Sequence, residues 1–531
     1  MGLPNILIRA TVMFKYLPDN FRLPTSILLL STVSVFVSFI LQSHTGLSLL
    51  DEGFLWYGAQ RVMLGEVPMR DFMAYDIGRY YWSAAFMSLV GSNGIVALRV
   101  GIAIFQAAAL FIGLSVLARY SAKQHFILWG LAAITLLVWM APQYRVFDIS
   151  LPVILVGALA FLVEQPSRHR YFLAGMVVGL VAVFGRNHGL YGVAGSLSVM
   201  AYLVARRESG PNLRTAVTAW LMGVFVGYLP VLVLLVVVPG FALAFWESIR
   251  LLFEIKATNI PLPVPWPWLA PFEQLPDIHI LRGMMMGVFF IAIVAFGVMG
   301  IAWVIRKKLQ GKQLSPTLIA AISLALPYAH YAYSRPDIEH LAPGMIPLIM
   351  GVLVLIGSQS VKIKWVSALL LCGASWWAMA PTYSGWTCYN NPQCIEIKVS
   401  GDVLTVDRET ANSLTLLNKL GEQFSPDGQT FIATPFWPGA YAALGRKSPV
   451  WEIYALFPRS NAFQQTEIER IKTANPGFVV VLDFTVGGDE GTRFSFTHPI
   501  IANYIKDNFV PVSGYSSNPR FQTYRSKQSG E

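Results

Sequence analysis

The stretch TSILLLSTVSVFVSFILQSH, residues 25–44, runs for twenty positions without an acidic or strongly basic side chain. As a helix it is long enough to cross the roughly 30 Å hydrocarbon core of a bilayer. Runs of the same kind recur as far as Met379, and the spans are read at 25–44, 94–118, 125–141, 147–164, 171–185, 189–205, 215–238, 281–305, 315–332, 341–358 and 364–380. The whole chain agrees with that reading: its 531 residues are 55% hydrophobic and 13% charged, with a mean hydropathy of +0.53. Such a balance excludes a water-soluble enzyme of this length. After Thr382 the composition becomes mixed for about 150 residues, enough for one compact domain.

The net charge of +10 raises the question of nucleic acid, but the basic residues are scattered over short loops between apolar runs. With the N-terminus inside, the cytoplasmic loops carry Arg119 and Lys123; Arg168 and Arg170; Arg206, Arg207 and Arg214; Arg306, Lys307, Lys308 and Lys312; and Lys362 and Lys364. That is the positive-inside pattern, and it accounts for the charge without a nucleic-acid partner. Met1–Arg22 has no cleavable leader pattern and reads as a partly amphipathic cytoplasmic segment. An odd number of spans then exports the C-terminus. The expected division is a cytoplasmic segment 1–24, a membrane domain 25–380 with long outer loops at 43–93 and 239–280, and an exported α/β domain 381–531.

Within the first outer loop, Phe54–Leu64 and Tyr80–Val90 read as helices lying in the membrane interface, because Trp56, Tyr57, Tyr80, Tyr81 and Trp82 are interfacial residue types. The run Pro-Leu-Pro-Val-Pro-Trp-Pro-Trp, 261–268, cannot be a helix interior and reads as a stiff extended lid. In the exported part, helical patterns at Asp407–Phe424, Gln465–Thr473 and Pro499–Asn508 alternate with strand patterns at Thr430–Ala433, Gly477–Leu482, Val510–Val512 and Phe521–Tyr524. The Gly-rich loop Val486–Gly491 lacks a helix-opening Lys-Ser/Thr and reads as a surface turn. Cys388 and Cys394, with five residues between them around an Asn-Pro turn, read as a disulfide in an oxidising compartment.

Polar residues with chemical potential gather on the outer side. Asp51-Glu52 follows the first span, and for Asp51 two readings stay open: helix cap and proton acceptor. Arg145 and Asp148, Arg186 and His188, and Arg335, Asp337, Glu339 and His340 occupy three further outer turns. One Arg alone would snorkel to headgroups, whereas several such turns on one side point to a shared polar cavity. Arg and His bind phosphate through charge-assisted hydrogen bonds, and a carboxylate can deprotonate a hydroxyl, so the set suits transfer from a phosphorylated, membrane-borne donor. No Walker loop, Rossmann glycine pattern or Cys/His zinc pattern is present, and the sequence requires no cofactor.

The segments Asp-Glu-Gly-Phe-Leu-Trp-Tyr-Gly-Ala-Gln-Arg (51–61), Gly-Glu-Val-Pro-Met-Arg-Asp-Phe (65–72) and Gly-Arg-Tyr-Tyr-Trp (78–82) resemble the first outer loop of GT-C glycosyltransferases. The nearest likeness is to bacterial relatives of protein O-mannosyltransferases and of the lipid A aminoarabinose transferase. The resemblance spans roughly residues 25–380 and departs at Asp76-Ile77-Gly78, where many relatives have Pro-Gly. It implies an inverting transfer of a sugar from a polyprenyl-phosphate donor to a glycan, lipid or protein acceptor at the outer face of a bacterial inner membrane. It implies Asp51 as catalytic base beside Glu52, and Arg335 as a phosphate-binding group, joined by His340, Arg186, His188 and Arg145. Asp148, Asp337 and Glu339 would be supporting acids. A divalent metal on Asp51, Glu52 and His340 is compatible with this pattern and not demanded by it. The competing readings are a flippase for a lipid-linked saccharide and a non-catalytic scaffold of an envelope-polymer machine.

Overall fold

The computed structural model describes residues 19–119, 126–206, 210–255, 259, 262–389, 391–515, 518 and 520–527. Most of the expected amphipathic segment Met1–Arg22, together with Lys123 and Arg207, lies outside the described residues. The chain opens with α1 (Asp19–Gln42), α2 (Asp51–Met63), α3 (Ile77–Val90), α4 (Ile95–Ala118), α5 (Phe126–Trp139), α6 (Val146–Glu164), α7 (Arg168–Phe184) and α8 (Arg186–Arg206). It continues with α9 (Leu213–Gly227), α10 (Leu229–Val237), α11 (Phe241–Ile255), α12 (Ile278–Leu309), α13 (Pro316–Ser334), α14 (Ile338–Gly357) and α15 (Val361–Met379).

Each expected span coincides with a helix or, at 215–238, with the pair α9 and α10. Among the described residues seven helices (α1, α4, α6, α8, α12, α14 and α15) are long and apolar enough to cross a membrane; α9 and α10, bent by 55°, make an eighth if they act as one. The count of eleven is therefore not established. It needs α5, which has only 14 residues, α7, which has 17, and the more polar α13. The outer surfaces of α1, α12 and α15 are covered with exposed Leu, Val, Ile, Phe and Met, including Leu41, Met299 and Leu370. Apolar surface of that extent is stable against lipid and not against water.

Small residues set how closely the bundle packs. Gly175 and Gly179 of α7 face the carbonyls of Trp220 and Val224 on α9, and Gly223 and Gly227 of α9 face the carbonyls of Phe172 and Met176 in return. A Cβ at any of the four would collide with the opposing backbone. This reciprocal small-xxx-small contact is the means by which helices approach where lipid removes the hydrophobic drive.

The C-terminal α/β domain begins with a hairpin, β1 (Cys394–Val399) and β2 (Asp402–Asp407), leading into α16 (Arg408–Phe424). The Asp407 carboxylate caps α16 by accepting from Thr410 N at 2.9 Å. Then come β3 (Ile432–Thr434), α17 (Pro438–Leu444), α18 (Asn461–Ala474), β4 (Phe478–Leu482), α19 (Pro499–Asn508), β5 (Phe509–Pro511) and β6 (Phe521–Ser526). The sheet order is β3-β4-β6-β5, with β3 and β4 parallel and the other pairs antiparallel. Cys388 and Cys394 are joined by a disulfide, their Cα atoms 5.5 Å apart. The loop at Val486–Gly491 is a turn closed by a bridge between Val486 and Asp489.

The first outer loop differs from its expected form. Both α2 and α3 exist, but Trp56, Tyr57 and Tyr80 are at most 1% exposed, so they do not lie in lipid headgroups. Of the α2 rings, Phe54 and Tyr57 are the seat of the C-terminal domain, Phe54 against Tyr454 at 5.5 Å. Tyr57 packs on Tyr441 at 5.6 Å and its hydroxyl accepts from Ser448 N at 3.0 Å. Gly53 meets Gly439 backbone to backbone, with no room for a Cβ. Trp451 Nε1 donates to Met69 O at 3.0 Å. The second outer loop differs too: it starts with α11, an amphipathic helix that the sequence reading did not anticipate. The Pro-rich run, described from Leu262, has no regular structure as far as Trp266 and then, unlike its expected extended form, closes in a 3-10 turn at Pro267–Leu269, with Trp266 stacked on Trp268 and the Pro265 carbonyl against Gly287 of α12.

Candidate functional site

Several helices begin at one end of the bundle, and their first residues line a cavity of about 230 Å³. Asp51 starts α2, Arg145 immediately precedes α6, and Asp337, Ile338 and Glu339 open α14, with Arg335 in the turn before it. The positive ends of three helix dipoles thus converge on the same space, which favours a bound anion. The remaining wall comes from the C-terminal domain, through Phe436, Tyr454, Leu456, Phe484 and Val486. Sequence reasoning missed these five, because their own stretch carries no signal of a site 400 residues away.

Asp51 is half-buried and its backbone N–H bonds Ser48 Oγ at 3.1 Å, so Ser48 rather than Asp51 serves the start of α2. The Asp51 carboxylate accepts a hydrogen bond from the Tyr454 hydroxyl at 3.1 Å. Burial, reinforced by the nearby Asp51 charge, pushes the Tyr454 hydroxyl well above its usual range, keeping it a donor. Around the cavity, Glu339 accepts from Tyr144 OH at 2.7 Å and pairs with Arg145 Nε at 3.3 Å. Arg335 Nε lies 2.9 Å from Asp337 Oδ2, while Asp337 Oδ1 caps α14 through His340 N at 2.8 Å. Burial raises the Asp337 carboxyl, but the His340 hydrogen bond and the His340 and Arg335 charges outweigh it and hold the group below its ordinary value.

The other expected site residues are held elsewhere. Glu52, expected beside Asp51 in the catalytic pair, points away from the cavity: successive helical positions diverge by about 100°. It is 2% exposed and receives Arg99 Nε and Nη2, both at 2.8 Å. Arg99 also donates to the carbonyls of Ser43, Thr45 and Gly46, so this pair locks the loop between α1 and α2. Asp148 lies behind the cavity, 3.0 Å from Arg79 Nη2 and 3.2 Å from His188 Nε2. His188 Nδ1 meets Tyr328 OH at 2.9 Å, leaving neither ring nitrogen free. Arg186 turns to Ser248 Oγ at 2.9 Å and to Asp76. His340 is buried between Asp337 and Asn259, its Nδ1 and Nε2 at 2.7 and 2.9 Å. Of the expected phosphate-binding set, only Arg335 and Arg145 line the cavity.

Arg79 is the hidden member of the motif at 78–82. Burial disfavours its charge, but Asp148 and Asp76 more than compensate, and the guanidinium is held charged. It also donates to Phe184 O at 2.7 Å, tying α3 to the end of α7. Asp51, Glu52 and His340 are not brought together as metal ligands. Among the described residues no group of three or more His, Cys, Asp or Glu side chains is placed to hold a metal ion.

No protein-family model matches the chain, and no curated protein matches it. Solved structures do. ArnT from Cupriavidus metallidurans, bound to undecaprenyl phosphate, matches with a TM-score of 0.54 at 12% identity, over 95% of this chain and 98% of that one. The apo oligosaccharyltransferase of Archaeoglobus fulgidus matches over 96% of this chain and 75% of its own, with a TM-score of 0.45 at 13% identity. AglB of the same organism, in complex with an inhibitory peptide and a dolichol-phosphate, covers the same shares with a TM-score of 0.42 at 12% identity. The ArnT likeness shows the fold: a polytopic helical membrane protein with a C-terminal α/β domain, arranged as in ArnT.

Proposed function

We propose that this chain is a membrane glycosyltransferase that moves a sugar from a polyprenyl-phosphate-linked donor to an acceptor hydroxyl at the outer face of the bacterial cytoplasmic membrane. One observation carries the reading: a carboxylate, Asp51, and two guanidinium groups, Arg145 and Arg335, line a single cavity at the starts of three helices. A proton acceptor and an anion site in one space are the two elements that an inverting displacement needs. That a protein of the same fold is seen with undecaprenyl phosphate supports the donor class.

In this reading Asp51 takes the proton of the acceptor hydroxyl as its oxygen attacks the anomeric carbon. The bond from that carbon to the phosphate oxygen breaks, and its electron pair leaves with the lipid phosphate. Arg335 and Arg145, with the three helix N-termini, offset the leaving charge. Tyr454 fixes the Asp51 carboxylate without taking its proton-accepting capacity, since a carboxylate has about four acceptor positions. The outer-face assignment rests on the basic loops. A flippase would set its polar groups near the membrane midplane; here they crowd one end of the bundle.

The test is a pair of substitutions read in two assays. Asp51→Asn should lower transfer by about a hundredfold or more while undecaprenyl phosphate still binds. Arg335→Ala should weaken that binding as well as slow transfer. If Asp51→Asn transfers at a near-normal rate in well-expressed protein, the carboxylate is not the base and the reading is lost.

A further inference from the structure

A second cavity, of about 390 Å³, opens in the C-terminal domain beside the first. It is lined by Asp483, Phe484, Thr485, Arg493, Arg520 and Gln522. We infer that it is a saccharide subsite, which seats the sugar residues of the acceptor next to the donor cavity. Saccharide binding stands on this cavity alone; the word acceptor rests on the transferase reading above.

Its position follows from the sheet. β3 and β4 run parallel, and Phe436 and Phe484 both follow the carboxyl ends of these strands. The crevice outside the carboxyl ends of parallel strands is where ligands bind in α/β sheets. Phe484 stands edge-on to Phe436 at 5.6 Å and lines both cavities, so a ligand in the second is one ring away from the first.

Its chemistry suits a polyhydroxyl ring. Phe484 offers an apolar face, and Asp483, Thr485, Arg493, Arg520 and Gln522 surround it with donors and acceptors that can pair with neighbouring hydroxyls. Part of this capacity is unused. Asp483 Oδ1 is buried and has no hydrogen-bond partner, while Oδ2 lies 3.4 Å from Arg493 Nη1. A buried carboxylate oxygen left unpaired is costly, and a ligand hydroxyl would satisfy it. The charges also favour a neutral ligand over a polyphosphate. Arg493 is already paired with Asp483 and Glu490, which leaves Arg520 as the one unpaired cation among the described lining residues.

The experiment uses the full chain in phosphatidylcholine nanodiscs and saturation-transfer NMR with the methyl glycosides of glucose, galactose, mannose and N-acetylglucosamine. At least one glycoside should receive saturation. Its signal should fall fivefold or more in Arg520→Ala and in Asp483→Asn, and survive in Asp51→Asn. Thr485→Trp, which fills the cavity from its rim, should abolish the signal even if Asp483→Asn proves unstable. Silence from all four glycosides, or a signal indifferent to Arg520→Ala and Thr485→Trp, overturns the subsite. So does full displacement by millimolar inorganic phosphate, which would make it an anion site. Undecaprenyl phosphate binding, measured on the same nanodiscs, separates the two readings: glycoside binding without it keeps the subsite and removes the transferase, and the reverse keeps the transferase alone.

Discussion

The hydroxyl of Tyr454 donates to the Asp51 carboxylate at 3.1 Å, a contact between residues 403 positions apart that joins the C-terminal domain to the first turn of α2. Tyr454 is held from behind. Glu452, two residues earlier, is buried and pairs with Arg459 at 2.6 Å and with His498 at 2.9 Å, which fixes the loop that presents the tyrosine. The domain therefore builds one wall of the cavity and orients the carboxylate across it.

Tyr454→Phe keeps the ring packed on Phe54 and Phe436 and removes only the hydroxyl. Transfer should slow by roughly threefold to tenfold, in line with about 1 kcal/mol for one hydrogen bond, with the loss in kcat rather than in donor KM. A steady-state assay with varied lipid donor measures the split. Loss confined to KM would mean that Tyr454 serves the donor instead of Asp51.

Glu52→Gln should behave unlike Asp51→Asn. It removes one partner of a buried pair and leaves Arg99 charged inside the protein, a change that costs about 3–5 kcal/mol. Thermal unfolding in detergent should shift down sharply, whereas Asp51→Asn should unfold near the wild-type temperature. A stable but inactive Glu52→Gln would return Glu52 to the list of catalytic residues.

Glu66 links α2 to the C-terminal domain through Arg61 at 2.6 Å and Lys447 at 2.7 Å. Burial raises its carboxyl, but the hydrogen bonds and charges of Arg61 and Lys447 prevail and hold it below its ordinary value. A lowered folded value gives stability that is complete above the unfolded value of about 4.3 and is lost as pH falls through the folded one. Limited proteolysis of the domain linker should therefore accelerate below about pH 4, and Glu66→Gln should remove that acid-dependent part.

Cys388 and Cys394 should resist alkylation in native membranes until reductant is added, because an oxidising compartment keeps the bond. A reporter active only outside the cytoplasm should work when fused after the last residue and fail when fused within 306–312. Free labelling of both thiols together with the opposite reporter pattern would reverse the orientation on which the outer-face assignment depends.

What the sequence by itself determined was everything that depends on local composition. Apolar runs found the seven helices that are long and apolar enough, among the described residues, to cross a membrane, because a run of about twenty apolar residues has one stable solvent. The alternation after Thr382 found the α/β domain and the helix from Asp407 to Phe424, although not the β1–β2 hairpin. Asp51 and Arg335 were legible as candidates because charge at a membrane boundary is expensive to keep without a use. Only the tertiary structure decided which polar residues share a space. Glu52 and Asp51 are neighbours in sequence yet only Asp51 lines the cavity, since one helical step turns a side chain by about 100°. His188, His340 and Arg186 stand near helix starts like Arg335, yet His188 and Arg186 are taken up by partners on other elements and His340 by Asp337 and Asn259. Tyr57 of α2 has the composition of a lipid interface and instead receives Tyr441 and Ser448 of the C-terminal domain, because a ring with a polar tip suits either surface equally well.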